Sequence, residues 1–391
     1  MRIALFHNRY RVRGGEDAVV DLEADLLRKA GCEVHLFSVD SREVSGVGGT
    51  LRAGLGARWN RSIATRVAEF LARHPVDVGH VHNFFPLLSP AVHATLKRLG
   101  LPVVQTLHNY RLFCANGLFL RAGRPCEDCV AKGPWNALRY GCYRGSRVQT
   151  AVWADAIAHH RRQGTWHTLV DRFVVPGEFA RRKLVAAGLP ADRVVVKPNP
   201  VLDPGEPRYG GRGGLYVGRL SQEKGVQLLL EAWREQGDVP LTIAGTGPEE
   251  AALREQAAGM PGVRFAGWLS RDAVQAELAR AAFVVAPSLC YENFPLAVAE
   301  AMAAGKPVIA SHPTAMSDMV EPERTGLLFD AGDARSLSAA CRRLLDDPAR
   351  SEAMGREARL VYEETMGPER SIAQLLVIYR RVIEGARPDA A

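Results

Sequence analysis

The chain has 391 residues, 47% hydrophobic and 24% charged, a composition that excludes a disordered chain and a length beyond one hydrophobic core, so two domains are expected. Its net charge of +7 is uneven: residues 1–200 hold 29 Lys and Arg against 16 Asp and Glu (+13), and residues 201–391 hold 21 against 27 (−6). The first half is expected to meet an anionic partner or surface; with no stacking motif or recognition-helix signature, nucleic acid is not expected.

No apolar run approaches the roughly 20 residues that span a bilayer, and residues 1–6 enter a strand instead of a signal peptide. A cytoplasmic protein is expected, peripheral at most on the inner face of a membrane.

Short apolar runs recur along the chain at 3–6, 34–37, 78–81, 103–107, 173–175 and 194–196, then at 215–217, 241–244, 263–265, 283–286 and 308–310, each followed by a helical pattern. Alternating strand and helix means parallel sheets with ligands at the carboxyl ends of the strands. After the first run, Gly14-Gly15-Glu16-Asp17 opens a helix. It is not G-x-G-x-x-G, which removes the main support for a nicotinamide dehydrogenase, yet paired glycines let backbone approach a ligand, with Gly15 as the expected contact. The Gly-rich stretch 45–56, with Arg52 and Arg58 beside Trp59, reads equally as a mobile loop or an ordinary connector. His82 and His108 close the third and fourth runs and are candidates to face a ligand.

Directly after His108 comes a cysteine-rich window in 110–145, with Cys114, Cys126, Cys129 and Cys142 in the spacing C-x11-C-x2-C-x12-C. Cys126-Glu127-Asp128-Cys129 is a two-residue knuckle of the kind tetrahedral thiolate sites use, and the flanks are turn-rich with little core of their own. A structural zinc is expected; a disulfide pair, a redox switch and an iron–sulfur cluster stay open.

The Pro- and Gly-rich stretch 197–214 divides the chain into domains of 1–200 and 201–367. In the second, Gly218-Arg219 ends a strand and Lys224-Gly225 precedes a helix, so Arg219 and Lys224 are two cations placed to neutralise a diphosphate without a metal. No Asp-x-Asp motif is present, and no catalytic metal is expected. The Gly245-Thr246-Gly247 and Gly267-Trp268-Leu269 segments end the next strands, where backbone meets a nucleobase or simply turns. Tyr291-Glu292-Asn293-Phe294-Pro295-Leu296 leads into a helix over 296–304 carrying Glu300. Asn293 as N-cap and Pro295 in the first turn would leave N–H groups to bind an anion. A helical tail from Pro368 to about Gly385 is expected to cross back to the first domain, and 388–391 to fray.

Together Gly14-Gly15, the Thr106–Asn109 stretch, Gly218-Arg219 with Lys224, and Glu292 with Glu300 resemble glycosyltransferase family 4, over nearly the whole chain. The resemblance implies a GT-B architecture, two facing Rossmann-like domains with a cleft between them. It also implies a retaining transfer from a UDP- or GDP-linked sugar to an acceptor hydroxyl, in polysaccharide, glycolipid or natural-product glycoside synthesis, the acceptor being a sugar, a lipid-linked or a small molecule. By the same resemblance Arg219, Lys224 and Gly218 meet the diphosphate, with Gly15 beneath it and Leu269 by the nucleotide. Glu300 then binds the ribose, while Glu292 and the backbone of Asn293, Phe294, Pro295 and Leu296 hold the donor sugar and phosphate, and His108 touches the transferred sugar. With no carboxylate placed as nucleophile, front-face displacement is the expected route. A nucleotide-sugar epimerase or phosphorylase on the same fold, or a nucleotide-sugar-binding protein without turnover, are the alternatives.

Overall fold

The protein is described by a computed structural model over residues 1–44 and 54–386. Most of the glycine-rich stretch 45–56, and the tail 388–391 expected to fray, lie outside these residues. By contact the chain divides into two compact units, Met1–Phe119 with Glu127–Pro200 and Glu369–Ala391, and Leu120–Cys126 with Val201–Pro368.

The first unit is built on a six-stranded parallel sheet. Its strands are β1 (Arg2–Arg9), β2 (Glu33–Asp40), β3 (Val78–Val81), β4 (Val103–Thr106), β7 (Arg172–Val175) and β8 (Val194–Val196), in spatial order β2-β1-β3-β4-β7-β8. A short antiparallel hairpin, β5 (Leu120–Arg121) and β6 (Arg124–Pro125), interrupts the numbering. Six consecutive residues of β1 are buried, as a strand covered on both faces must be. Helix Gly15–Lys29 packs on one face through Ala24 and Leu27, beside Ile3, Leu5, Val78 and Val104. The C-terminal helix Pro368–Ala386 joins the same core through Ile372, Leu375, Tyr379 and Val382. That three-and-four spacing is an apolar stripe on one helix face, so the tail does return to the first unit.

The second unit repeats the plan with β9 (Gly214–Val217), β10 (Leu241–Ala244), β11 (Val263–Gly267), β12 (Phe283–Ala286), β13 (Val308–His312) and β14 (Gly326–Asp330), in order β11-β10-β9-β12-β13-β14. β14 has no counterpart among the sequence expectations. Its apolar run Leu327-Leu328-Phe329 is as long as others that are read as strands, and a Cβ on Gly326 would lie 2.0 Å from the Val308 carbonyl, so this edge strand opens on a glycine. The Gly-rich connector is not loose either. Asp203 receives both guanidinium nitrogens of Arg359 at 2.8 Å, the Tyr362 hydroxyl donates to Val201 O, and Lys306 donates to Gly210 O.

Candidate active site

In the second unit, the carboxyl ends of β9 and β12 bring the expected residues together. After β9, Gly218 turns beneath the Tyr216 hydroxyl, which donates to Arg219 O at 2.8 Å. The Arg219 side chain is exposed. Residues Gln222–Lys224 form one 3-10 turn, closed by Gly225 at φ +71. A Cβ there would sit 2.0 Å from the Pro287 carbonyl, so this glycine permits the close approach of the two strand-end loops. The Leu289 N–H donates to Glu223 O at 2.8 Å and stitches those loops together.

Lys224 and Glu292 meet across that seam, with Nζ donating to Oε1 at 2.6 Å. The Ser288 hydroxyl donates to the same oxygen at 2.6 Å, and Ser311 Oγ donates to Ser288 O, so the carboxylate has a second anchor on its own loop. Burial pushes the Glu292 carboxyl up, while Lys224 and Ser288 pull it down further, so it sits below its ordinary value. Lys224 is held above its ordinary value: burial works against the ammonium, and Glu292 and Cys290 outweigh it. The site therefore holds a fixed, fully charged pair with an exposed arginine beside it.

The helix that follows differs from expectation. It spans Leu296–Ala303 with Pro295 as its N-cap in extended backbone, and Val298 N–H bonds to Pro295 O at 3.0 Å. Asn293 lies before the cap and is buried. Pro295 has no donor to waste at that position, and the first-turn N–H groups begin at Leu296, with Phe294 half-buried ahead of them. Glu300, half-buried on the second turn, has its carboxyl raised by burial, with Arg271 opposing. Leu269 is half-buried at the end of β11 and packs on the same core as Val298 and Met302. The glycines after β10 have a structural cause: a Cβ on Gly245 would lie 1.8 Å from Gly218 O, and one on Gly247 2.1 Å from Leu220 O.

In the first unit, His82 and His108 end β3 and β4 and their rings stack, centroids 5.4 Å apart at 16°. His82 Nδ1 lies 3.1 Å from His108 Nε2, and His82 Nε2 lies 3.5 Å from Glu23 Oε2. At that separation neither His82 Nε2 nor Glu23 Oε2 has a hydrogen-bond partner, so the bond His82 makes is the one to the His108 ring, in which one nitrogen donates and the other accepts. Glu23 is itself fixed by Lys197, Nζ to Oε1 at 2.5 Å, and Lys197 also donates to Ser371 Oγ at 2.9 Å. Burial holds both imidazoles below their ordinary range, His82 well below it. Glu23, His80 and His82 stand close enough to share one metal ion. His80, however, is engaged through both nitrogens, to Thr106 Oγ1 at 2.7 Å and Tyr379 Oη at 2.6 Å, and Lys197 already neutralises Glu23. The cluster is a set of separate buried hydrogen-bonded groups packed together, Lys197 with Glu23, His80 with Thr106 and Tyr379, and His82 with His108.

Gly14 and Gly15 open helix Gly15–Lys29. Gly14 has an extended backbone and open space where a Cβ would stand, so neither strain nor packing demands a glycine there. Asp17 receives Gly14 N–H at 3.0 Å and bonds His7 Nε2 at 2.8 Å, fixing the loop. Cys129 lies in a small core with Ala115, Ala137 and Ile157, with Cys142 packed against it; Cys114 is buried and its thiol donates to Asn116 Oδ1 at 2.9 Å, and Cys126 is half-buried.

Residues 13–202 match the family model "Glycosyltransferase Family 4" and residues 212–347 match "Glycosyl transferases group 1". These are sugar-transfer domains by class, and with both halves matched the chain belongs to the family 4 glycosyltransferases. It is 39% identical to glycogen synthase of Mycobacterium tuberculosis over 160 residues, 39% of this chain and 38% of that one. The chain thus spans well under half the length of that relative. It is 28% identical to 2-deoxystreptamine glucosyltransferase of Streptomyces kanamyceticus over 343 residues, 84% of each chain. The crystal structure of Anabaena HepE in complex with UDP superposes with a TM-score of 0.68 at 16% identity, covering 97% of this chain and 100% of that one. The fold is GT-B.

Sequence reasoning singled out Lys224, Glu292 and His108. It missed Ser288, Glu23 and Lys197. A serine four residues before Glu292 gives no signal of its own, and Glu23 and Lys197 meet from positions 174 residues apart.

Proposed function

We propose that the protein transfers a sugar from a nucleoside-diphosphate sugar to an acceptor hydroxyl with retention at the anomeric carbon. The observation that carries this reading is the Lys224–Glu292 pair beside Arg219 at the ends of β9 and β12, within the segment matching group 1 glycosyl transferases. Arg219 and Lys224 supply two fixed positive charges for a departing diphosphate, with the N–H groups that begin helix Leu296–Ala303 as further donors. Glu292, locked by Lys224 and Ser288, meets the hydroxyls of the donor sugar. Glu300 takes the ribose diol. In the first unit, His108 is tethered inward through Nε2 and presents the rest of its ring to the transferred sugar.

With Glu292 committed to Lys224 and Ser288, no free carboxylate serves as nucleophile on that loop. The departing phosphate oxygen then takes the acceptor's proton as the acceptor oxygen bonds the anomeric carbon on the same face. The protein supplies position and charge. UDP in HepE and the glucosyl transfer named for the S. kanamyceticus relative favour a UDP-linked hexose as the first donor to try. The +13 of residues 1–200 favours a phosphorylated or membrane-borne acceptor over a neutral one. Among the described residues no helix is long and apolar enough to cross a membrane, so such contact is peripheral. Seven free cysteines suit the reducing cytoplasm.

The test is incubation with a panel of UDP- and GDP-sugars, with and without sugar, lipid-linked and small-molecule acceptors, and product anomer read by NMR. Acceptor-dependent nucleotide release with a retained anomer is expected, and it survives EDTA. Sugar isomerisation without nucleotide release, transfer to free phosphate, or tight binding without turnover would each replace this reading with another.

A further inference from the structure

We propose that Arg111 is an anion-binding residue of the first unit, and that the acceptor is held there by a phosphate group. Calling the ligand an acceptor rests on the sugar-transfer reading, whereas the phosphate site itself does not. Arg111 follows His108 by three residues, on the loop that leaves β4. Its own N–H bonds Asn109 Oδ1 at 3.1 Å. Beyond it the turn is closed by Tyr110 N–H to Gly117 O at 3.0 Å and Cys114 N–H to Tyr110 O at 2.9 Å, so the backbone that carries the guanidinium is fixed.

The side chain is fixed as well, by groups that leave its charge unanswered. Its guanidinium carbon lies 4.0 Å from the centroid of the Phe85 ring, and Phe85 is buried against Trp153, with ring centroids 3.7 Å apart. A Cβ on Gly117 would stand 3.5 Å from Cζ and Nη2 of Arg111, so the turn at Gly117 runs close beside the group. An aromatic face attracts a cation, but it takes none of the hydrogen bonds that the guanidinium donates in its own plane. Nε is buried and has no hydrogen-bond partner. Two acids of this region are engaged elsewhere: Glu16 accepts the Tyr10 hydroxyl at 2.7 Å, and Asp155 pairs with Arg58.

The space around Arg111 says what kind of molecule would answer it. Two adjoining hollows share Phe84, Phe85, Arg111 and Leu112. One continues past Thr106 and Asn109 to His82 and His108, and the other runs along Trp153, Ile157 and Trp166. Among the described residues neither wall contains a carboxylate, and Arg111 is the one side chain of either that carries a fixed charge. The His160 ring in the apolar wall stays neutral, pushed down to about 4 by burial.

A cation with a polar hollow on one side and an apolar one on the other suits a ligand whose anionic group lies between a hydroxyl and an apolar part. The planar fork of arginine matches phosphate oxygens in pairs, and a phosphate offers it more oxygens than a carboxylate does. A soluble sugar phosphate would use Arg111 and the hollow leading to His108. A lipid-borne phosphate would add its alkyl chain along Trp153 and Trp166. Phosphate is the chemistry common to both.

The test is calorimetric titration of the full chain, without donor, with glucose 6-phosphate, hexyl phosphate and, as neutral controls, glucose and hexanol. Both phosphates should bind and the neutral controls should not. Arg111→Gln should weaken phosphate binding by about 10-fold or more, the scale of a lost charge-assisted hydrogen bond. A Lys224→Met/Glu292→Gln variant should retain that binding, which separates it from a diphosphate site in the second unit. Tighter binding of hexyl phosphate would assign a lipid-borne acceptor, and tighter binding of glucose 6-phosphate a soluble one. If Arg111→Gln fails to fold, the phosphate-against-neutral comparison in the Lys224→Met/Glu292→Gln variant decides. Neutral controls that bind as well as the phosphates, binding unchanged in Arg111→Gln, or binding lost with Lys224 would overturn the proposal. Phosphate binding without sugar transfer would sink the transfer reading alone, and transfer to neutral acceptors without phosphate binding would sink this proposal alone.

Discussion

The two units stabilise buried polar groups by opposite means. Ten of the eleven histidines lie in residues 1–200, and five of them, His80, His82, His93, His108 and His160, are kept below their ordinary range, burial being the first cause in each. The first unit thus buries neutral rings, with the buried ammonium–carboxylate pair Lys197–Glu23 beside them. The second unit sets one charged pair, Lys224–Glu292, at the rim of its sheet with its single histidine, His312, exposed. Neutral hydrogen-bonded rings orient one another, whereas fixed charges stabilise an anion. The contrast is what the proposed division of labour needs, with the transferred sugar and acceptor assigned to one unit and the diphosphate to the other.

The comparison breaks most sharply at Lys224. Lys224→Ala should lower kcat/KM by about 10²-fold or more, the scale of one lost electrostatic stabiliser. Stability should fall too, because Glu292 keeps only 12% of its side chain exposed and loses its partner. A Lys224→Met/Glu292→Gln double variant separates the two effects: thermal stability should recover and activity should not. Wild-type turnover in Lys224→Ala would remove the diphosphate role.

A smaller loss is expected from the His82–His108 pair. His82→Asn removes the ring hydrogen-bonded to His108, so His108 should lose its orientation while the donor contacts of the second unit persist. The expected signature is a fall in kcat of up to about 10²-fold with donor KM nearly unchanged, and a change in the pH profile. Equal losses in kcat and stability with an unaltered profile would make His82 a packing residue.

How far these roles were legible in the sequence depended on distance along the chain. Strand runs such as 3–6 and 283–286 announced themselves because parallel strands buried on both faces are apolar throughout. Lys224 and Glu292 were legible because each sits within a few residues of a strand end. Their mutual ion pair was not, since at a separation of 68 positions the sequence carries no signal that the two loops meet. Asn293 misled as a cap because Asn is the commoner N-cap, yet Pro295, two residues on, cannot follow a helical residue comfortably and moved the helix start. Glu23, Lys197 and Tyr379 join through the sheet and the C-terminal helix, contacts that only the assembled core creates.

The neutral histidines also predict a difference in acid sensitivity. A histidine whose folded value lies below its ordinary 6.5 contributes stability that is present above 6.5 and is lost as pH falls, because the unfolded chain takes up the proton first. Each such group costs up to about 1.4 kcal/mol per pH unit. Glu292 is depressed below 4.5 and keeps its contribution until pH falls further. Between about pH 7 and pH 5, hydrogen exchange should therefore show core amides of β1, β3 and β4 losing protection while those of β9 and β12 hold. Equal loss in both sheets would contradict the division.

The smallest effect is expected at Glu300, where the comparison is sharpened by the kind of change and not by its size. Burial holds this carboxyl above its ordinary value, with Arg271 as the opposing influence, so it titrates at a higher pH than Glu292 within the same unit. A ribose diol far from the anomeric carbon is held equally in ground and transition states, and losing one charge-assisted hydrogen bond is worth about 1.5 kcal/mol. Glu300→Gln should then raise donor KM by about 10-fold at unchanged kcat. In the native protein, KM should begin to rise on acidification at a pH above 4.5, as the carboxylate that accepts both hydroxyls gains a proton, and that rise should be absent in the glutamine variant. A fall in kcat at constant KM would instead place Glu300 at the reacting atoms and reassign the ribose contact.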